Sequence, residues 1–228
     1  MHIDIVCLFP EMLTGFFTAG VLRSAQEQGL LEIFTHSLRD YAEGPHRQVD
    51  DRPYGGGPGM VLKPEPCFRA VEAITGQVDA KPWVVLLSAR GALFNQARAR
   101  SLVTHECLLL LAGRYQGLDE RVNHLADEEL SIGDYVLSGG ELAAAVVAEA
   151  VGRLVPGALG NAASPERDSF SGEFEGLLGP PQYTRPEEYR GLRVPDVLLS
   201  GDHAAIARYR REQAAEKTRR NRPELLNS

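Results

Sequence analysis

The segment DDRPYGGGPGM, residues 50–60, is the first candidate for chemistry in this sequence. Four of the five positions 55–59 are glycine, so the backbone there carries almost no side chains. Such a backbone can approach a ligand closely and present its N–H groups to it. Because no Gly-Lys-Ser or Gly-Lys-Thr follows, the segment is not a Walker loop. A flexible surface loop is the alternative, but the adjoining Asp-Asp-Arg-Pro-Tyr run favours a binding loop.

Three further segments share this glycine-rich character. They are SARG at residues 88–91, GRYQGLDER at 113–121 and SIGDYVLSGGE at 131–141. Each follows a predicted strand or leads into a predicted helix, and open α/β sheets bind ligands at the carboxyl ends of their strands. Together they predict an adenosine-like ligand held mainly by main-chain groups. An ordinary turn at the start of a helix is the alternative for the last segment.

The elements that would position these loops are strands and helices in alternation. The predicted strands are residues 3–9, 31–36, 83–88 and 108–112. The predicted helices are residues 11–28, 64–75, 95–104 and 141–154. This alternation predicts an α/β domain with a parallel sheet and flanking helices. Because the ligand-type loops come late rather than after the first strand, a dinucleotide-binding topology is disfavoured.

The composition changes after Pro156. Residues 156–181 are rich in glycine and proline and are predicted to form a linker or mobile loop. One long helical pattern follows over residues 202–220. Residues 206–222 hold seven basic and two acidic side chains, a local charge of 7 − 2 = +5 in a chain of net charge −7. This basic stripe can bind phosphates, and a solvated helix face is the alternative.

The composition excludes several classes of protein. Hydrophobic residues are 43% and charged residues 24%, as in soluble globular proteins. The chain has neither an apolar run of about 18 residues nor an N-terminal secretion pattern, so we expect a cytoplasmic protein with no membrane partner. Cys7, Cys67 and Cys107 lie far apart and are predicted to be buried free thiols rather than a zinc site.

Six segments, in order along the whole chain, carry a specific resemblance. They are HRQVDDRPYGGGPGM, GRYQGLDER, SIGDYVLSGGE, RLVPGALGNAASPERDSF, YTRP and VPDVLLSGDH. Together they resemble the bacterial tRNA (guanine-N1)-methyltransferases that modify position 37, members of the SPOUT class. The resemblance implies methyl transfer from S-adenosyl-L-methionine to N1 of guanosine 37, with the tRNA anticodon stem-loop as partner. It also implies a homodimer, and it leaves Mg²⁺ as a candidate cofactor without assigning a metal ligand.

The resemblance further implies a fold. A parallel α/β sheet domain with flanking helices would contain a C-terminal trefoil knot and be followed by a small helical domain. Residues 1–155 would form the knotted cofactor-binding domain, residues 156–181 a flexible linker with a catalytic aspartate, and residues 182–228 the helical tRNA-binding domain.

The chemistry of the implied reaction makes two demands. The N1 proton must leave and negative charge develops on O6, so a general base and a cation near O6 are needed. The resemblance implies Asp168 as the base and Arg153 as the cation. Taken alone, Asp168 could equally cap a turn before Ser169, and Arg153 could be a surface arginine at the end of a helix.

The resemblance also assigns binding residues. The predicted cofactor residues are Leu87, Ser88, Gly113, Tyr115, Gln116, Ile132, Gly133, Asp134, Tyr135, Val136, Leu137, Gly139 and Gly140. The predicted substrate residues are His46, Asp50, Tyr54, Pro58, Gly59, Met60 and Arg185. Backbone groups would bind the adenine edge, with Leu137 against the ring. Arg185 and the basic helix would hold tRNA phosphates.

The sequence departs from the family pattern at three places. Ala89-Arg90 replaces Pro-Gln, Gln116 replaces a glutamate, and Gly179 stands where an acidic residue is usual. The last two changes remove carboxylates that would face the cofactor ammonium group or Mg²⁺. One hypothesis is that Glu173 or Glu175 replaces them, and the alternative is that both are solvated loop charges.

Two other functions remain open at this point. One is a related SPOUT enzyme that acts on a different RNA nucleotide, and the other is a catalytically silent RNA-binding module. Retention of both Asp168 and Arg153 argues against the silent module.

Overall fold

The computed structural model describes residues 1–160, 167–174 and 176–226. The chain divides into two compact units, Met1–Gly160 and Asn161–Ser228. The strands of the first unit are β1 His2–Cys7, β2 Glu32–Ser37, β3 Asp50–Asp51, β4 Val61–Leu62, β5 Trp83–Leu93, β6 Cys107–Ala112 and β7 Glu128–Ser131. Its α-helices are α1 Thr14–Phe17, α2 Gly20–Glu27, α3 Pro64–Thr75, α4 Gln96–Leu102 and α5 Glu141–Gly152. The second unit has β8 Glu188–Tyr189, β9 Leu192–Arg193, α6 Asp196–Leu199 and α7 His203–Asn221.

A parallel sheet in the order β2-β1-β6-β5-β7 forms the centre of the first unit. Across it, Ile5 on β1 lies opposite Leu110 on β6, which lies opposite Val85 on β5. Every residue of β6 is buried, because helices cover both faces of the sheet. The predicted α/β class with a parallel sheet and flanking helices is therefore confirmed.

The core has two layers, one on each face of the sheet. Helices α2, α4 and α5 supply one layer, with Leu22, Leu102 and Val147 among its fully buried side chains. Helix α3 supplies the other layer through Ile74, which packs in one cluster with Leu109 and Leu111 of β6. These two layers hold the sheet in place, and the sheet in turn positions the loops at the carboxyl ends of its strands.

The predicted helix over residues 11–28 is wrong. The chain there forms a short 3₁₀-helix, Pro10–Met12, followed by α1 and then α2. Ala19 is extended and Gly20 has a φ of +62°, so the backbone turns sharply between the two α-helices. Glycine adopts that conformation without a steric penalty, which is why the break falls at this position.

Other strands differ from the prediction because the local sequence pattern at these positions is weak. Strand β5 continues beyond the predicted end at residue 88 to Leu93. Strand β7 was missed, since Glu-Glu-Leu-Ser contains no apolar run. The β8–β9 hairpin was also missed, although Arg190 and Gly191, with φ of +52° and +78°, form the kind of turn that joins two short strands.

The second unit contains the predicted C-terminal helix. Helix α7 begins where the Asp202 carboxylate accepts hydrogen bonds from the N–H groups of Ala204 and Ala205, both at 3.0 Å. Within the same unit, the Leu178 N–H donates to Oγ1 of the buried Thr218 at 3.1 Å. The described part of the predicted linker is thereby hydrogen-bonded to α7.

The three cysteines are buried free thiols, as predicted. Burial raises the pKa of Cys7 and of Cys67 to about 12, and that of Cys107 to about 11. Among the described helices, none combines the length and the apolar character needed to cross a membrane.

Candidate functional site

A cavity of about 250 Å³ opens at the carboxyl ends of β5, β6 and β7. Its walls come from residues 86–90, 113–118, 129–133 and 135–140, together with Asn123 and Ala143. These are the three late glycine-rich loops and the strands that precede them.

An irregularity in β5 shapes the first wall. Leu87 and Ala92 both pair with Leu130 of β7, so the residues between them leave the ladder as a bulge. The predicted loop SARG is therefore an excursion inside a strand rather than a loop after it. Gly91 lies against β7 so closely that a Cβ there would be 2.5 Å from the backbone carbon of Glu129.

The second wall, after β6, is joined to residues 52–60, which are part of the glycine-rich segment 50–60. The Gln116 N–H donates to the Met60 carbonyl at 3.0 Å, and its side-chain Nε2 donates to the Pro58 carbonyl at 2.7 Å. A Cβ on Gly59 would lie 2.7 Å from the same Nε2. The first candidate loop therefore packs on a residue that lines the cavity.

The third wall runs from β7 into α5. The Gly140 N–H donates to the Gly113 carbonyl at 2.7 Å, and Gly139 pairs with Arg114 as an antiparallel bridge. The Arg114 Nε donates to Glu141, whose oxygens lie 2.9 and 3.1 Å away, and Glu141 is 1% exposed. A Cβ on Gly139 would meet both side chains of this ion pair, with Arg114 Nε at 2.6 Å. Glycine is thus required where the two walls meet.

The loop that follows Gly113 ends in a second charged pair. Arg121 donates to Asp119 through its backbone N–H and through Nε and Nη2, at 2.8 to 3.0 Å. Hydrogen bonding to the Arg121 guanidinium holds the pKa of Asp119 below its usual range. This pair fixes the turn that leads into the 3₁₀-helix Glu120–Leu125.

The structure brings most of the predicted cofactor residues together around the cavity. Those that line it are Leu87, Ser88, Gly113, Tyr115, Gln116, Ile132, Gly133, Tyr135, Val136, Leu137, Gly139 and Gly140. Asp134 is exposed and lies outside this lining. Arg90, Arg114 and Glu129 also line the cavity and were not predicted, because glycine-rich segments indicate main-chain binding and give no signal for charged side chains.

The predicted substrate residues lie apart from this lining. Pro58, Gly59 and Met60 contact Gln116, which is part of the lining. His46 and Tyr54 are exposed, and Asp50 lies on β3, which pairs with β4. Arg185 belongs to the second unit and is exposed.

The predicted catalytic pair is divided between the two units. Arg153 follows α5, where its backbone N–H donates to the Glu149 carbonyl at 3.1 Å. Asp168 belongs to the second unit, and its carbonyl accepts from the Ser171 N–H at 3.2 Å. Both side chains are half-buried. Glu173 lies 3.4 Å from Arg167, and Glu175 is outside the described residues.

The basic stripe lies on the exposed part of α7. Ala214 and Thr218 face inward and are buried. The exposed basic side chains of this helix and its C-terminal end are Arg208, Arg211, Arg219, Arg220 and Arg222. A row of guanidinium groups in solvent can bind phosphates.

Comparison with known proteins gives a consistent result. A sequence model of the family described as tRNA (Guanine-1)-methyltransferase TrmD matches residues 1–228. A tRNA (guanine-N(1)-)-methyltransferase of Anaeromyxobacter sp. (strain K) is 54% identical over 226 residues, which are 99% of this chain and 91% of that protein. The proteins of the same name from Moorella thermoacetica and Shouchella clausii are 52% and 51% identical, each over 99% of this chain and 90% and 91% of their own lengths.

Proposed function

The chain belongs to the tRNA (guanine-1)-methyltransferase family, and we propose that it transfers a methyl group from S-adenosyl-L-methionine to N1 of guanosine 37 in tRNA. The observation that carries this proposal is the cavity at the carboxyl ends of β5, β6 and β7. Two of its walls belong to GRYQGLDER and SIGDYVLSGGE, two of the six segments that carry the family resemblance. The activity assigns the enzyme to the cytoplasm, where tRNA is modified.

The donor set of the cavity fits an adenosyl ligand. Its lining at residues 132–133 and 135–140 consists mainly of glycine backbone and apolar side chains, which suit a flat ring with polar edges. The Arg114–Glu141 pair keeps the loops at Gly113 and Gly139 at a fixed separation. We assign this wall to the adenosine part, with Leu137 against the adenine ring. When bound, S-adenosyl-L-methionine supplies an electrophilic methyl group.

We assign to Asp168 and Arg153 the two chemical roles that the reaction requires. Asp168 removes the N1 proton as general base, and Arg153 stabilises the negative charge that develops on O6. Arg153 belongs to the first compact unit and Asp168 to the second.

The target nucleotide is assigned to the segment that Gln116 joins to the cavity. Pro58, Gly59 and Met60 would hold the guanine, with His46, Asp50 and Tyr54 beside them. Arg185 and α7 would hold the anticodon stem-loop through its phosphates. The trefoil knot, the linker at 156–181 and a tRNA-binding domain at 182–228 are part of the same proposal.

A homodimer is supported by an apolar surface in the first unit. Leu142 and Val146 lie one turn apart on α5 and are 40% and 46% exposed, and Val136 is 90% exposed. Met12 is exposed as well and contacts Arg114 beside the start of α5. We assign this surface to a second copy of the chain. Sedimentation should give a dimer, whereas a fully active monomer would contradict the assignment.

The roles of Asp168 and Arg153 can be tested separately from donor binding. We expect Asp168→Ala and Arg153→Ala each to lower single-turnover methylation by about 10²–10⁴-fold, the usual contribution of acid–base catalysis. Calorimetric affinity for S-adenosyl-L-methionine should change little, since neither residue lines the cavity. Wild-type turnover in either variant would show that its role is wrongly assigned.

A further inference from the structure

One oxygen in the cavity wall lacks a hydrogen bond. Oε1 of Glu129 is buried and has no hydrogen-bond partner among the described residues. The nearest cation is Arg90, whose Nε lies 3.8 Å away. A buried carboxylate oxygen left in this state is costly unless something pairs with it. The Glu129 side chain as a whole is 26% exposed and lines the cavity, so the accessible part of its carboxylate faces a ligand bound there.

The strand positions separate Glu129 from its neighbour Glu128. Glu128 is held by Trp83 and Arg98, both of which donate to its carboxylate. Glu129 pairs in register with Leu86 of β5, another residue of the cavity wall. Since successive side chains of a strand point to opposite faces, one glutamate has a structural partner and the other faces the cavity.

The bulge in β5 brings a cation to the same place. Gly91 packs directly on the backbone of Glu129, and Arg90 precedes it. The Arg90 Nη1 donates to Glu120 at 3.0 Å, which holds the guanidinium at the rim of the cavity. Arg114, the other cation of the lining, is already paired with Glu141.

The cavity therefore offers one carboxylate and one guanidinium, side by side. Within the described lining, Glu129 is the single acidic side chain. An α-amino acid carries an ammonium and a carboxylate group on the same carbon. A glutamate and an arginine about 4 Å apart complement those two charges.

Resting on the proposed function, we infer that Glu129 binds the α-ammonium group of S-adenosyl-L-methionine and that Arg90 binds its α-carboxylate. Gln116 and Gly179 cannot supply a carboxylate for this purpose. Glu173 is paired with Arg167 in the second unit, whereas Glu129 belongs to the cavity itself. The amino-acid end of the donor thus binds at β5 and β7, and the adenosine end at residues 132–140.

The test measures binding of two ligands by calorimetry. S-adenosyl-L-homocysteine keeps the amino-acid end, and 5′-methylthioadenosine lacks it. Glu129→Gln should weaken binding of the first ligand by at least tenfold, as loss of a charge-assisted hydrogen bond does, and change the second by less than about twofold. Arg90→Gln should discriminate between the ligands in the same direction. Glu27→Gln, which removes an equal charge from an exposed pair with Arg23 outside the lining, is the matched control and should change neither affinity more than about threefold.

The outcomes separate this inference from the proposed function. If the wild-type protein binds neither S-adenosyl-L-methionine nor S-adenosyl-L-homocysteine, the proposed function fails and the inference fails with it. If the wild-type protein binds both ligands and Glu129→Gln binds them as tightly as the wild type does, only the inference is wrong. If Glu129→Gln weakens binding of S-adenosyl-L-homocysteine and of 5′-methylthioadenosine equally, Glu129 has a structural role and the inference is wrong. A loss confined to the double variant Glu173→Gln, Glu175→Gln would assign the ammonium to the second unit.

A ligand change covers the case in which Glu129→Gln does not fold. The analogue of S-adenosyl-L-homocysteine without its α-amino group should bind the wild-type protein at least tenfold more weakly than the parent. Equal affinity of the two ligands would overturn the inference without any variant.

Discussion

Gln116 joins the cavity wall to the glycine-rich segment 52–60 through its side-chain amide. Nε2 donates to the Pro58 carbonyl at 2.7 Å. A glutamate has only acceptor oxygens when ionised, so at this position it would face the carbonyl oxygen without a proton to share. The departure from the family pattern at residue 116 is therefore consistent with a direct contact between the two loops.

Gln116→Glu should loosen segment 52–60 without unfolding the protein. We expect amide exchange of Gly56 and of residue 116 to rise about 3- to 10-fold, because one hydrogen bond between the loops is lost. NMR-detected hydrogen exchange is the measurement. Gln48→Glu is the matched control, because Gln48 donates in the same way to the Asp50 carbonyl but does not reach the cavity wall. Equal exchange rates in wild type and Gln116→Glu would contradict the contact.

At the residue scale, glycine was the informative signal. The positions at which the backbone approaches another chain segment, such as Gly59 and Gly139, were visible as glycine clusters in the sequence. Glu129 was not visible, because its significance depends on which face of β7 it occupies and on a bulge in another strand. Neither feature is encoded within a few residues of Glu129 itself.

The bulge in β5 is an element-scale feature with a testable requirement. A Cβ at residue 91 would lie 2.5 Å from the Glu129 carbon and the Leu130 nitrogen, both backbone atoms of β7. Backbone cannot rotate away as a flexible side chain can. The two strands must therefore separate if residue 91 is anything larger than glycine.

Gly91→Ala should lower the free energy of unfolding by about 1–3 kcal/mol, the usual cost of overpacking, and weaken ligand binding in the cavity. Urea denaturation measures the first effect. Gly15→Ala is the control, because no atom lies within 4 Å of a Cβ there and its φ is not positive, so it should be near neutral. Similar midpoints for the two variants would show that the bulge tolerates a side chain.

The Arg114–Glu141 ion pair should contribute strongly to the stability of the first unit. Arg114→Ala leaves a buried carboxylate at the start of α5 without its cation and removes the guanidinium from the Phe9 ring, 4.5 Å away. We expect a loss of about 3 kcal/mol in the free energy of unfolding. Arg23→Ala, which breaks the exposed pair with Glu27, should cost less than about 0.5 kcal/mol. A loss no larger than that of Arg23→Ala would mean that Arg114 contributes little.

Sequence patterns predicted elements well where one signal dominated. Helix α3 begins and ends at the predicted residues, because Pro64 opens it and Gly76 follows it. The 11–28 region failed because its apolar spacing suggested one helix, while the conformation of Gly20 breaks it into separate pieces. Strand β7 depends on pairing with β5, which lies far away in sequence. Local patterns carry no information about such pairing.

For the whole molecule, the three thiols report on global unfolding. Burial holds the pKa values of Cys7, Cys67 and Cys107 at about 11 to 12, above the usual 9.0. At pH 8 the native protein should therefore react with Ellman's reagent far more slowly than the urea-unfolded chain. Rapid labelling of native protein would contradict this packing.

The raised pKa values of the thiols also predict how the free energy of unfolding changes with pH. Between about pH 9 and pH 11 the unfolded thiols lose their protons while the native thiols keep them, so the unfolded state binds fewer protons. The free energy of unfolding should therefore decrease as pH rises through this range. Urea midpoints at pH 8, 9 and 10 measure the trend, and a rising midpoint would contradict it.

The central claim for the whole molecule is methyl transfer to N1 of guanosine 37. The most direct measurement is incubation of unmodified tRNA carrying G37 with the protein and S-adenosyl-L-methionine, followed by nuclease digestion and mass spectrometry. We predict 1-methylguanosine at position 37 with the wild-type chain and at least 10²-fold less with Asp168→Ala. Transcripts with adenosine at position 37 should stay unmodified. No methyl transfer to G37 tRNA, or a methyl group on another nucleotide, would contradict the assignment.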